Sequence, residues 1–173
     1  DNWPAPGPGG AVGAADLGLK AELPLDPKIK MGKLENGMAY WIRQHGTPPG
    51  RIGFYLRVGS GSVNETDEQR GLAHYLEHLA FNGSKNFPPG TVVKYFESLG
   101  LRFGGDQNAF TSFDQTTYLL ALPDTEPGTI DKGMLYLSDV GMRLSLIPAE
   151  IDNERQIILE EKRSRAGAAQ RVE

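Results

Sequence analysis

Hydrophobic and polar positions alternate along residues 29–44 on either side of Asn36-Gly37, a pair that favours the backbone of a tight turn, and so predict a two-stranded hairpin. Residues 51–58 alternate again, with Phe54, Leu56 and Val58 on one side, and predict a third strand. Gly59-Ser60-Gly61-Ser62 turns the chain, and residues 65–69 lead into a helix that carries His74. A short helix is predicted over 91–99, stopped by Gly100. Residues 101–107 and 115–122 are strand-like runs flanking 108–114, and the second is rich in β-branched and aromatic residues. Helical periodicity returns over 126–144, where Ile130, Met134, Leu137 and Met142 are expected to pack on the sheet. A last helix is predicted over 148–165, with a proline suited to the first turn, acidic residues early and basic ones late. Its Ile151, Ile157, Ile158 and Leu159 are expected on a buried side. Strands and helices in this irregular order predict an α+β fold, with helices on one face of a largely antiparallel sheet.

Composition and charge narrow the function classes. Residues 1–27 are dominated by Pro, Gly and Ala and read as a flexible arm that Trp3 alone could anchor, leaving 28–173 as the folded part. With 39% hydrophobic residues the chain can bury a core. A formal charge of −4 provides no basic field for nucleic acid, and no apolar run approaches membrane-spanning length, so neither nucleic-acid partners nor membrane insertion are expected. The absence of cysteine removes disulfides and thiolate metal ligands. The chain starts without Met and without an apolar signal core, as either a mature secreted product or a recombinant expression product would.

The chemistry concentrates at His74-Tyr75-Leu76-Glu77-His78. Histidines four apart project from one helix face about 5–6 Å from each other, within reach of one metal ion. Shuffling this composition produces the pattern in only a few chains per thousand, roughly, and closed structural zinc sites are usually built with thiolates, which this chain lacks. Two imidazoles plus one carboxylate on zinc leave a fourth position for water, and a free carboxylate nearby can take its proton. Glu77 is the candidate base. The third ligand must come from another element, and residues 148–165 offer it. Glu154 and Glu161 lie seven apart on one stripe, roughly 10 Å from each other, so one could bind metal while the other supports it. Glu160, about 100° round the helix from Glu161, competes.

With these residues in view, Arg70-Gly71-Leu72-Ala73-His74-Tyr75-Leu76-Glu77-His78-Leu79-Ala80-Phe81-Asn82-Gly83-Ser84 resembles the metal helix of the insulinase/pitrilysin metallopeptidases, the inverzincins. Asn108-Ala109-Phe110-Thr111-Ser112 resembles that family's substrate-edge strand, and Glu154-Arg155-Gln156-Ile157-Ile158-Leu159-Glu160-Glu161 its third-ligand helix. The resemblance spans residues 33–165 and implies an α/β roll binding one zinc ion. It implies His74, His78 and Glu161 as ligands, Glu77 as general base, and Glu154 as the acid behind them. It favours Glu161 over Glu160. Asn108 and Ala109 become substrate-binding candidates, because an extended peptide can pair with an exposed sheet edge. The implied activity is zinc-dependent endoproteolysis of peptides or unfolded polypeptides.

The resemblance also implies that 28–173 is the N-terminal portion of a catalytic domain, completed by the remainder of the protein or a homologous subunit. In the family a later domain adds an Arg and a Tyr that stabilise the tetrahedral intermediate, and an oxyanion donor of that kind is worth about 10²–10³ in rate. By analogy the compartment is periplasmic or secreted, otherwise cytoplasmic. The competing readings are a non-catalytic partner subunit that keeps the fold for peptide binding, and a zinc hydrolase acting on a non-peptide bond. His45, in a turn-rich segment, is expected as an exposed loop residue, and Phe81, Phe87, Phe96 and Phe103 as core.

Overall fold

The computed structural model describes residues 24–165, so residues 1–23 of the expected arm lie outside the described residues. The described chain forms two compact units that divide between Pro49 and Gly50. The first is the expected hairpin. Strand β1 (Ile29–Lys33) pairs antiparallel with β2 (Ala39–Arg43), and Gly37 in the turn between them has φ +90°. Asp26 fastens the entry to this hairpin, accepting from the Lys28 N–H at 2.9 Å and from Arg43 Nε at 2.8 Å. His45 is exposed, and its Nδ1 accepts from the Thr47 N–H at 3.1 Å.

The second unit is an α+β layer. Its three-stranded antiparallel sheet runs β3 (Ile52–Val58), β5 (Thr116–Leu122), β4 (Gln107–Thr111), so β4 is an edge strand among the described residues. Register sorts the side chains by face. Ile52, Phe54 and Leu56 pair with Leu122, Leu120 and Tyr118, and Gln107 and Ala109 of β4 pair with Leu120 and Tyr118, so all of these share one face. That face carries helices α1 (Leu72–Leu79), α2 (Val92–Ser98) and α3 (Pro127–Met142), whose Val92, Phe96, Tyr136, Leu137 and Val140 complete the core. Tyr55, on the opposite face, is 70% exposed.

Three expectations need correcting. Residues 101–107 are mostly not a strand. After the buried Leu101 the chain turns through Gly104 at φ +82°, with the Asp106 carboxylate accepting from the Arg102 N–H, and β4 begins at Gln107. Asn108, Ala109 and Phe110 are therefore strand residues and not part of the connecting turn. On α3, Met134 and Met142 are exposed, because the stripe that meets the sheet is Gly133, Tyr136, Leu137 and Val140 at spacings of three and four. On α4 (Pro148–Arg165), Ile157 and Leu159 are exposed, whereas Ile151, Glu154, Ile158 and Glu161 form the covered stripe. The helix spends its inward face on two carboxylates.

The segment after α1 is locked to α3 through Asp139, which is fully buried. Burial opposes its ionisation, but it accepts hydrogen bonds from Ser84 Oγ, the Asn86 N–H and side-chain amide, and Arg143 Nε, and these hold its carboxyl below the usual carboxylate range. No helix among the described residues is long and apolar enough to cross a membrane.

Candidate metal centre

Eight residues make a helix too short to stand alone in water, so α1 must be held from outside. The Glu65 carboxylate does this from six residues ahead. Its Oε2 accepts from the Gly71 N–H and its Oε1 from the Ala73 N–H, both at 2.7 Å, satisfying first-turn donors and placing negative charge at the positive end of the helix. Glu65 is itself placed by the turn before it, where Ser62 and Val63 N–H groups bond the Ser112 and Phe113 carbonyls. Gly61 permits that approach, since a Cβ there would run into the Ser112 and Phe113 backbone. Glu65→Ala is expected to cost about 1–2 kcal/mol, the usual loss for a capping side chain, read as a lowered urea midpoint in the metal-free protein. An unchanged midpoint would mean that packing alone holds α1.

At the other side, α4 closes on α1. The Tyr75 hydroxyl donates to the Ile151 carbonyl, and Glu154 Oε1 lies 2.7 Å from His78 Nδ1. Its second oxygen accepts from Asn82 Nδ2 at 2.5 Å. In a neutral ring whose Nδ1–H donates to Glu154, the His78 lone pair is on Nε2. That atom lies 3.1 Å from His74 Nε2 and 3.3 Å from Glu161 Oε2, and His74 Nε2 lies 3.6 Å from the same carboxylate oxygen. Ligand atoms of the three residues all fall within 4.8 Å of one another. Four-coordinate zinc with bonds of about 2.0–2.1 Å keeps its donors roughly 3.3 Å apart, so this set fits zinc in both spacing and donor chemistry. Glu160 does not converge on the site; it is exposed and paired with Arg163.

Glu77 is buried beside the histidines, and Thr111 Oγ1 donates to its Oε2 at 2.6 Å. Burial, and then the charge of Glu77, pushes the Tyr118 phenol up to about 12, so Tyr118 stays protonated near neutral pH. A cleft of about 520 Å³ opens over these groups, and both Asn108 and Ala109 line it. Ala109 faces the helix side of the sheet. Asn108 faces away, with its Nδ2 on the Gly104 carbonyl and its Oδ1 accepting from the Ala109 N–H, so its amide is folded back on its own strand. Phe87 and Phe96 are core as expected. Phe81 is partly buried and packs against the core, but it also meets Phe103 edge to face at 5.2 Å, and both line the cleft; Phe103, 53% exposed, is not core.

Sequence reasoning assigned no role to Glu65, Asn82 or Thr111. Asn82 had a signal in its spacing, four residues past His78, and Thr111 in its place two residues past Ala109 on one strand face. Glu65 is too far ahead of α1 for any capping pattern to mark it.

Comparison with known proteins comes to the same region. Residues 44–171 match the insulinase family, peptidase family M16. The chain is 39% identical over 154 residues to the probable zinc protease PqqL of Escherichia coli (strain K12), covering 89% of this chain and 16% of that protein. It superposes with a TM-score of 0.82 on the crystal structure of the first half of the periplasmic protease PqqL from Escherichia coli, at 39% identity, over 88% of this chain and 32% of that one. It is also 32% identical over 147 residues to the mitochondrial cytochrome b-c1 complex subunit 1 of Rattus norvegicus, covering 84% of this chain and 28% of that protein. The chain thus spans only a small part of the curated relatives it matches.

Proposed function

Because this chain belongs to the insulinase family, peptidase family M16, we propose that it is the metal-carrying part of a zinc endopeptidase that hydrolyses peptides or unfolded polypeptides. The observation that carries the reading is the convergence of His74, His78 and Glu161 from two helices, with the buried Glu77 carboxylate beside them. His74, His78 and Glu161 would hold one zinc ion. When bound there, zinc polarises a carbonyl and lowers the pKa of a water to about 7.

The protein's own groups do the rest. Glu77 takes the proton of the attacking water and later delivers it to the leaving amine. Glu154 holds His78 through Nδ1, which keeps its Nε2 lone pair aimed into the site. Beyond Gln107, whose backbone bonds Arg102 and Gly104, the edge of β4 left without a neighbouring strand among the described residues offers backbone groups to an extended peptide. Ala109 is beside the cleft and Asn108 at its rim, where its amide must rotate outward to release the Ala109 N–H and meet substrate. An extended chain meets such an edge without being read closely, which favours unfolded substrates.

Relatives are far longer than this chain, so the remainder of the protein, or a homologous subunit, would complete the site and supply the donors that stabilise the tetrahedral intermediate. The Escherichia coli relative is described as periplasmic, and that compartment is the one proposed for this protein. A non-catalytic subunit is the second reading, favoured by the likeness to a respiratory-complex subunit; the intact His74, Glu77, His78 and Glu161 weigh against it. Hydrolysis of a quenched, unstructured peptide by the protein at full length separates them. Cleavage is expected to vanish with a chelator and return with zinc, and zinc-replete protein that binds the peptide without cutting it would establish the second reading.

A further inference from the structure

We infer that Thr111 is a positioning residue for Glu77, fixing the plane of its carboxylate so that one oxygen is held towards the reacting water. The inference rests on the reading of Glu77 as the base. A glutamate's terminal torsion is broad and its two oxygens are equivalent, so burial alone does not fix the plane of the carboxylate. Thr111 Oγ1 supplies the one hydrogen bond that this carboxylate receives among the described residues, at 2.6 Å on Oε2, which leaves Oε1 for a water.

The direction of that bond is set by its neighbours. Thr116 Oγ1 lies 3.4 Å from Thr111 Oγ1, but Thr116 donates its proton to the Ser60 carbonyl at 3.0 Å and so cannot donate to Thr111. The Thr111 proton has a distant hydroxyl and a near carboxylate to choose between, and the charged acceptor at the shorter distance takes it. Threonine is also stiff at χ1, so the hydroxyl is pre-aimed. Thr111 sits two residues past Ala109 on the same face of β4. The strand proposed to hold the peptide therefore also holds the base, and the two share one anchor.

The test compares Thr111→Val, which keeps the shape and removes the hydroxyl, with Thr111→Ser, which keeps the hydroxyl, and with Glu77→Gln, all in the zinc-loaded protein at full length. The readouts are kcat, KM, bound zinc and the thermal midpoint. A hydrogen bond to a charged group implies a loss of about 10- to 100-fold in kcat for Thr111→Val. KM and zinc content should stay near wild type, and Thr111→Ser should recover most of the rate. If the valine variant does not fold, Thr111→Ala serves with the same readouts. Wild-type kcat without the hydroxyl, a serine variant as slow as the valine, or a loss confined to KM or zinc content would overturn the inference. An active Glu77→Gln would instead remove the base on which it rests.

Discussion

Glu77→Gln is expected to lower kcat for peptide hydrolysis by about 10³, within the 10²–10⁴ that a positioned general base contributes, because the other carboxylates lining the cleft, Glu154 and Glu161, are engaged with the histidines. The substitution is nearly isosteric. Its amide oxygen can still accept from Thr111, so the buried pocket between α1 and β4 keeps its packing and its hydrogen bond. What disappears is the ability to take a proton. Zinc content should remain one ion per chain, because the converging donors are His74, His78 and Glu161. Parallel assays of turnover and bound metal check both halves, and a variant that turns over normally would remove Glu77 from the mechanism.

The second large effect is expected at His78. This ring meets three groups of the centre: Nδ1 to Glu154, and Nε2 facing both His74 and Glu161. His78→Ala should release zinc under conditions where the wild-type protein retains it. It also leaves the buried Glu154 carboxylate with Asn82 as its remaining hydrogen-bond partner among the described residues. Glu154→Gln should be milder, weakening zinc by about 10- to 100-fold, as loss of a carboxylate behind a ligating imidazole typically does. Competition with a chromophoric chelator ranks the three proteins. If Glu154→Gln bound zinc as tightly as wild type, the pairing with His78 would have no bearing on the metal.

The two histidines were legible because a helix converts a spacing of four into adjacency, and the structure brings their Nε2 atoms to 3.1 Å. The hairpin around Gly37 and the strand β5 were legible for similar local reasons, turn chemistry in one case and β-branched content in the other. The last helix was harder. Its isoleucines and leucine suggested an apolar buried side, yet Ile157 and Leu159 face out while Glu154 and Glu161 share the covered stripe with Ile151 and Ile158. Hydrophobic periodicity misreads a helix whose inward face carries carboxylates, because it counts a carboxylate as solvent-facing. The groups that support the centre were not legible as such. Glu65 reaches α1 across a turn, and Thr111 reaches Glu77 from a strand 34 residues away. Contacts of this kind depend on how elements dock, and docking leaves no periodic mark on the chain.

The most direct measurement is the coordination environment of zinc in the protein, by X-ray absorption or anomalous diffraction. One ion is expected, bound by two imidazole nitrogens at about 2.0–2.1 Å and a carboxylate oxygen at about 2.0–2.2 Å, with the imidazole signal lost in His78→Ala. Zinc found away from His74, His78 and Glu161, or an environment unchanged in that variant, would contradict the account.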